Sequence, residues 1–320
     1  MRFDGPGTLA LVGVLAAYAL AMTTGRGHFG LMNATLLAAG LAGIGLFITV
    51  ESRVASPLIR LAAFRDAQFS AGLATNAIVA TVMMATLVVG PFYLSRTLRL
   101  NEALVGMVIS IGPIISVFTG VLVGRLVDRA GAALVVILGL VEMAAGSTAL
   151  TILPSMFGVA GYIAAIVVLT PGYQLFQAAN NTAVMKDVSP DRRGLVSGML
   201  SLSRNIGLIT GASVMGAVFA FAADTSDITT APPGAVATGM RVTFAVAAAL
   251  IVIAIGIRGL AVRFAVPLRR SRSRRHHISL RPEFGMSIEV ASTRPRRAQS
   301  RVDPSPRGED RPRYPQRNDA

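Results

Sequence analysis

The chain has 320 residues, 53% of them hydrophobic and only 14% charged, and its mean hydropathy is +0.61. Soluble domains carry about 25% charged residues, and disordered chains are poor in apolar ones. Neither class fits, which leaves a polytopic membrane protein.

Eight apolar stretches follow one another, each near or above the roughly 20 residues of a spanning helix. They cover 6–24, 30–50, 68–94, 102–124, 131–153, 156–184, 194–222 and 238–262. The runs are long and continuously apolar, whereas barrel strands alternate over about ten residues. The expected fold is therefore an all-α integral membrane bundle of about eight transmembrane helices. The first stretch also has traits of a signal peptide, with Arg2 before it and Ala19-Leu20-Ala21 after it. Asp4 and the apolar span that follows at once argue against cleavage.

Arginine placement sets an expected topology. Loops 51–67, 125–130 and 186–193 hold Arg53, Arg60, Arg65, Arg125, Arg129, Lys186, Arg192 and Arg193, against Arg26, Arg96, Arg99 and Arg241 in the alternate loops. The positive-inside rule puts the first set in the cytoplasm. An even number of helices brings both termini to that side, in the inner (plasma) membrane of a bacterial cell. Residues 263–320 hold 15 arginines against 6 acids and no apolar periodicity, so they read as a disordered basic tail. Anionic lipid at the inner surface is its expected partner, rather than nucleic acid.

Polar residues inside apolar runs are the candidates for function. Glu142 is the one acid well inside a stretch. Acids there cost about 2.5–3.5 kcal/mol on insertion scales and serve a purpose: proton coupling or a cationic substrate, or else a structural acid satisfied by a partner. Gln174, Gln177 and Asn181 follow at i, i+3 and i+7 and share a helix face. That face should line a cavity or a helix contact, with Pro171-Gly172 bending the helix nearby. Asn76 is a further candidate of this kind. Arg204, ten residues into its stretch, either reaches a substrate or acid, Glu142 being an attractive partner, or snorkels. Met83, Met84, Met107, Met143 and Met199 suit varied apolar ligands but also ordinary packing. The only lysine, Lys186, follows no phosphate-binding glycine loop, and no Ser-His-Asp or paired-carboxylate arrangement is visible. With no cysteine, and only His28, His276 and His277, no metal site or cofactor is expected. The chain reads as neither an enzyme nor an ATP-driven pump.

Three segments carry a family resemblance. Gly120-Val-Leu-Val-Gly124-Arg-Leu-Val-Asp128-Arg129-Ala-Gly131 resembles the G-x-x-x-D-R-x-G loop of the major facilitator superfamily in its second copy. Pro190-Asp-Arg-Arg193-Gly194, with Gly198, Arg204, Gly207 and Gly211, is similar to a run in the superfamily's fourteen-helix drug:proton antiporters. Pro91-Phe-Tyr93-Leu94, Asn101-Glu102, Gly106 and Pro113 resemble the first helix pair of that family's C-terminal bundle, and Phe3-Asp4-x-Pro6-Gly7 its entry into the central helices. In place of the family's two basic residues after the loop glycine stand Ala132 and Ala133.

The resemblance implies a central helix pair in 1–50, a cytoplasmic linker in 51–67 and the C-terminal six-helix bundle in 68–262, without the N-terminal bundle. It implies proton-coupled efflux of drugs or other small molecules, with a second polypeptide or a homodimer completing the cavity. An inactive remnant and a membrane-tethered protein with a binding tail stay open beside it. Gly120 and Gly124, four apart, suit close helix packing, as do Gly194, Gly198, Gly207 and Gly211. Asp128 lies just before the next helix, where a carboxylate favours the helix N-terminal dipole, and Arg129 is placed to pair across a domain interface. Together with Gly131 these residues would form a conformational loop.

Overall fold

The computed structural model describes residues 5–23, 31–53, 64–224 and 231–278. Within them the chain is helical apart from short turns. The helices are α1 (Gly5–Thr23), α2 (Leu31–Arg53), α3 (Ala67–Phe92), α4 (Glu102–Ala130), α5 (Ala132–Met185), α6 (Arg193–Ala222) and α7 (Pro233–Ile278). Among the described residues five of these are long and apolar enough to cross a membrane, and no strand occurs. Arg26, His28, Arg60 and the tail beyond residue 278 lie outside the described residues. The all-helical membrane reading holds.

Local chemistry starts and stops the helices. The Asp66 carboxylate caps α3, accepting from the backbone N–H of Gln68 at 2.8 Å and of Phe69 at 3.3 Å. Asn101 caps α4 by accepting from Leu104 N at 2.9 Å. Such caps satisfy amides that the first turn leaves free. Beyond Pro91, α3 winds on through a wider turn at Tyr93–Thr97. Proline removes one ladder hydrogen bond, and the Ser95 hydroxyl donates to the Pro91 carbonyl at 2.8 Å.

α5 has 54 residues, about 81 Å of helix, far more than a hydrocarbon core of about 30 Å. It does not run straight. Gly158, at φ +57° and ψ −129°, folds it into two antiparallel limbs, 132–157 and 159–185. Glycines let the limbs touch. A Cβ on Gly146 would lie 2.7 Å from Leu169 backbone, and one on Gly172 2.9 Å from the Met143 amide. Pro171 lies within the second limb, where the helix continues through it, and Gly172 serves limb-to-limb contact.

α3 is the hub. It packs most extensively along α6, with contacts at a constant offset, so the two run parallel. The Ser203 hydroxyl donates to Leu73 O at 2.6 Å, and the Thr81 hydroxyl to Gly207 O at 2.9 Å. Gly207 and Gly211 sit against the α3 backbone at Ala77 and Thr81. Side-chain hydrogen bonds between membrane helices average about 0.6 kcal/mol each, so the close backbone approach carries the contact with them. α3 runs antiparallel to the second limb of α5 and to α7. The core between them is built on Leu140, Met143, Tyr162, Phe176, Phe219 and Phe244. α1 and α2 form a hairpin, held by Asn33 Nδ2 donating to Ala21 O at 2.7 Å. The hairpin docks on α6, where Tyr18 bonds Thr210 and Ser213 donates to Met22 O.

Two boundaries differ from the sequence reading. α7 begins at Pro233, so Arg241 lies two turns inside a helix and not in a loop. α7 also continues as helix to Ile278, through the start of the segment read as disordered.

Candidate functional site

The loop motif is a one-residue connection. Gly131 ends α4 and starts α5 at φ +82° and ψ +145°, its amide donating to Val127 O at 3.0 Å. This backbone conformation favours glycine. Asp128 and Arg129 are exposed beside it. Leu122, Arg125, Leu126 and Arg129 line a shallow groove of about 220 Å³ on α4. Among the described residues the close packing expected of Gly120 and Gly124 is not made: a Cβ on either would meet nothing within 4 Å. Gly106, Ser110, Pro113, Val117, Gly120 and Gly124 form one exposed face along α4.

The other candidates separate. Asn76 is 2% exposed, and its Nδ2 donates to Leu200 O at 2.9 Å, tying α3 to α6. It faces no open cavity, because the α3–α6 crossing closes over it. Glu142 is half-buried against Gly172 at the edge of the α5 hairpin, with Leu138 and Val141 exposed beside it. Among the described residues no ion pair joins it to Arg204, which is on α6. On the second limb of α5, Gln174 and Gln177 are half-buried and Asn181 exposed. Gln177 Nε2 donates to the Tyr173 hydroxyl at 3.3 Å, and its buried Oε1 has no partner.

Gly207 and Gly211 lie in the helix crossing, whereas Gly194 and Gly198 meet open space. The latter two belong to something else. Gly194, Ser197, Gly198, Ser201, Arg204 and Asn205 are all exposed, at the i, i+3, i+4, i+7 spacing of one α6 face. This polar face lies on a helix apolar enough to span a membrane. Ser197, Ser201 and Asn205 escaped the sequence reading, although their spacing around Arg204 was there to be seen.

A second missed feature is Arg258. It is 6% exposed on α7 and donates to Asn180 Oδ1, while Asn180 Nδ2 donates to Gly72 O at 3.3 Å. Its Nε is buried without a partner. Arg258 comes four residues before the end of its apolar stretch, so it reads as a flanking charge. It is Asn180 and not the neighbouring Asn181 that turns inward.

Comparison with known proteins fits this architecture. The profile of the Major Facilitator Superfamily matches residues 7–212 and 73–298. The uncharacterized transporter YebQ of Escherichia coli K12 is 30% identical over 218 residues, 67% of this chain and 47% of that protein. The multidrug resistance protein Stp of Mycobacterium tuberculosis is 27% identical, over 68% of this chain and 41% of its own length. The quinolone resistance protein NorB of Staphylococcus aureus is 25% identical, over 72% and 50%. The chain thus spans about half the length of the curated relatives it matches. Among solved structures, a bacterial homologue of the iron transporter ferroportin in an outward-facing state aligns with 82% of this chain and 66% of its own, at TM-score 0.48 and 16% identity. With profile matches spanning most of its length, the chain belongs to the Major Facilitator Superfamily.

Proposed function

We propose that the chain forms one wall of an exporter of small organic molecules, and that the polar α6 face lines the path. The observation that carries this is the row Ser197, Ser201, Arg204 and Asn205, exposed on one side of an apolar helix. Polar groups at membrane depth face water or protein, and nothing among the described residues covers these. Gln174, Gln177 and Asn181 of α5 add amide groups to the same wall. The multidrug and quinolone relatives support efflux as the direction of transport. The opposite wall of the path would seat on the small-residue face of α4.

Glu142 is the one carboxyl group of the described spans placed away from helix ends, and we assign it proton coupling. Arg65, Arg129, Lys186 and Arg193 gather at one end of the bundle, which the positive-inside rule places in the cytoplasm of a plasma-membrane protein.

The test is export from cells lacking their own pumps, with the gene expressed from its native locus. Ser201→Leu with Asn205→Leu should lower export about tenfold or more at unchanged membrane abundance. Full export by that double variant would remove α6 from the path. Glu142→Gln should lose export driven by a pH gradient; gradient-driven export that survives it would return Glu142 to a structural role.

A further inference from the structure

Arg204 lies eleven residues into α6, about 16 Å along a helix of about 45 Å. With a hydrocarbon core of about 30 Å centred on this helix, Arg204 lies about 9 Å inside it. A guanidinium there is stable only against water, protein or a counter-charge. Ser201 and Ser197 stand one and two turns before it and Asn205 beside it, all exposed. These are neutral hydrogen-bonding groups, and the face carries no carboxylate.

The rest of the bundle does not neutralise it. Among the described residues no acid pairs with Arg204, and Glu142 sits at the hairpin edge on another helix. The buried Arg258 of α7 is held by the Asn180 amide and, among the described residues, by no acid. Among the described residues the charge of Arg204 therefore has no acidic partner. Where one sign of charge lines a low-dielectric wall, the field raises the local concentration of the opposite sign.

We propose that the α6 face selects anions. Its ligand class is an amphipathic organic anion bearing a carboxylate, sulfonate or phosphate. The anionic group would sit on the Arg204 guanidinium, which bonds such groups with two parallel N–H donors. Uncharged polar groups would meet Ser201 and Asn205, and the apolar body Leu208 one turn further on. This rests on the reading of α6 as a water-lined wall, and it selects among the substrates that wall admits.

The chain has no cysteine, so Ser201→Cys gives a single thiol one turn from Arg204. In permeabilised membranes containing the full chain, its labelling rate is measured with two methanethiosulfonates, one carrying a sulfonate and one a trimethylammonium group. Each rate is divided by that of the same reagent with a free small thiol. The normalised sulfonate rate should exceed the trimethylammonium rate about tenfold. Arg204→Lys should keep that preference and Arg204→Gln should bring the ratio to about one. A ratio near or below one in the parent, or one indifferent to Arg204→Gln, overturns anion selection and leaves the water-lined wall standing. No labelling by either reagent, with full labelling after denaturation, overturns both. If Ser201→Cys does not reach the membrane, Asn205→Cys gives the same measurement from the adjacent turn.

Discussion

Gly194 and Gly207 sit on one helix, thirteen positions apart, under opposite constraints. A Cβ at Gly207 would strike the Ala77 carbonyl of α3, and at Gly194 it would meet nothing. Gly207→Val should therefore cost about 1–3 kcal/mol through overpacking, read as a lower Tm in detergent. Gly198→Ala should stay within about 0.5 kcal/mol. Equal losses in the two variants would mean that α6 and α3 do not cross where described. Sequence spacing treats these glycines alike, because it registers a missing side chain and not what approaches it. The same limit separates Asn180 from Asn181 and hides Arg258. A buried arginine near the end of an apolar run looks like a topology signal until the helix facing it is known.

Elements were more legible than their faces. Apolar run lengths predicted separate spans at 131–153 and 156–184, and the fold places the limbs of α5 there, on either side of Gly158. At φ +57° and ψ −129° only glycine is at ease. Gly158→Ala should lower stability by about 1–3 kcal/mol, whereas Phe157→Ala, at an exposed neighbour, should leave Tm nearly unchanged. A Gly158→Ala protein as stable as the parent would show that this turn holds no strain. The polar face of α6 escaped because a hydropathy scan averages around the helix. Ser197, Ser201, Arg204 and Asn205 dilute the mean only slightly, yet all of them emerge on one side.

At the scale of the molecule, the central fact is the parallel pairing of α3 with α6. A Cβ on Gly216 would lie 3.8 Å from Val88 Cγ1, so the two positions face each other across the α3–α6 contact. Val88→Cys with Gly216→Cys should cross-link on mild oxidation, and Val88→Cys with Gly198→Cys should not. The second pair lies about 27 Å apart along the axis, and an antiparallel pairing through the same crossing would favour it instead. Family membership and the all-helical class were legible because composition and the motifs around Gly131 and Gly194 are local in sequence. Which helix meets which was not, since Asn76 and Leu200 are 124 residues apart and no local pattern joins them.

That separation has a consequence for how the protein is made. At translation rates of about 5–20 residues per second, the carbonyl that Asn76 will donate to is synthesised about 6–25 s after Asn76 itself. α4 and α5 must be delivered in the interval. Thr81 can wait on its own helix, bonded to Ala77 O at 3.0 Å. Asn76 has no such substitute, so α3 enters the bilayer with an amide still to be matched. The insertion machinery has to shelter it until α6 arrives, which makes the order of synthesis as much a condition of this fold as any contact within it.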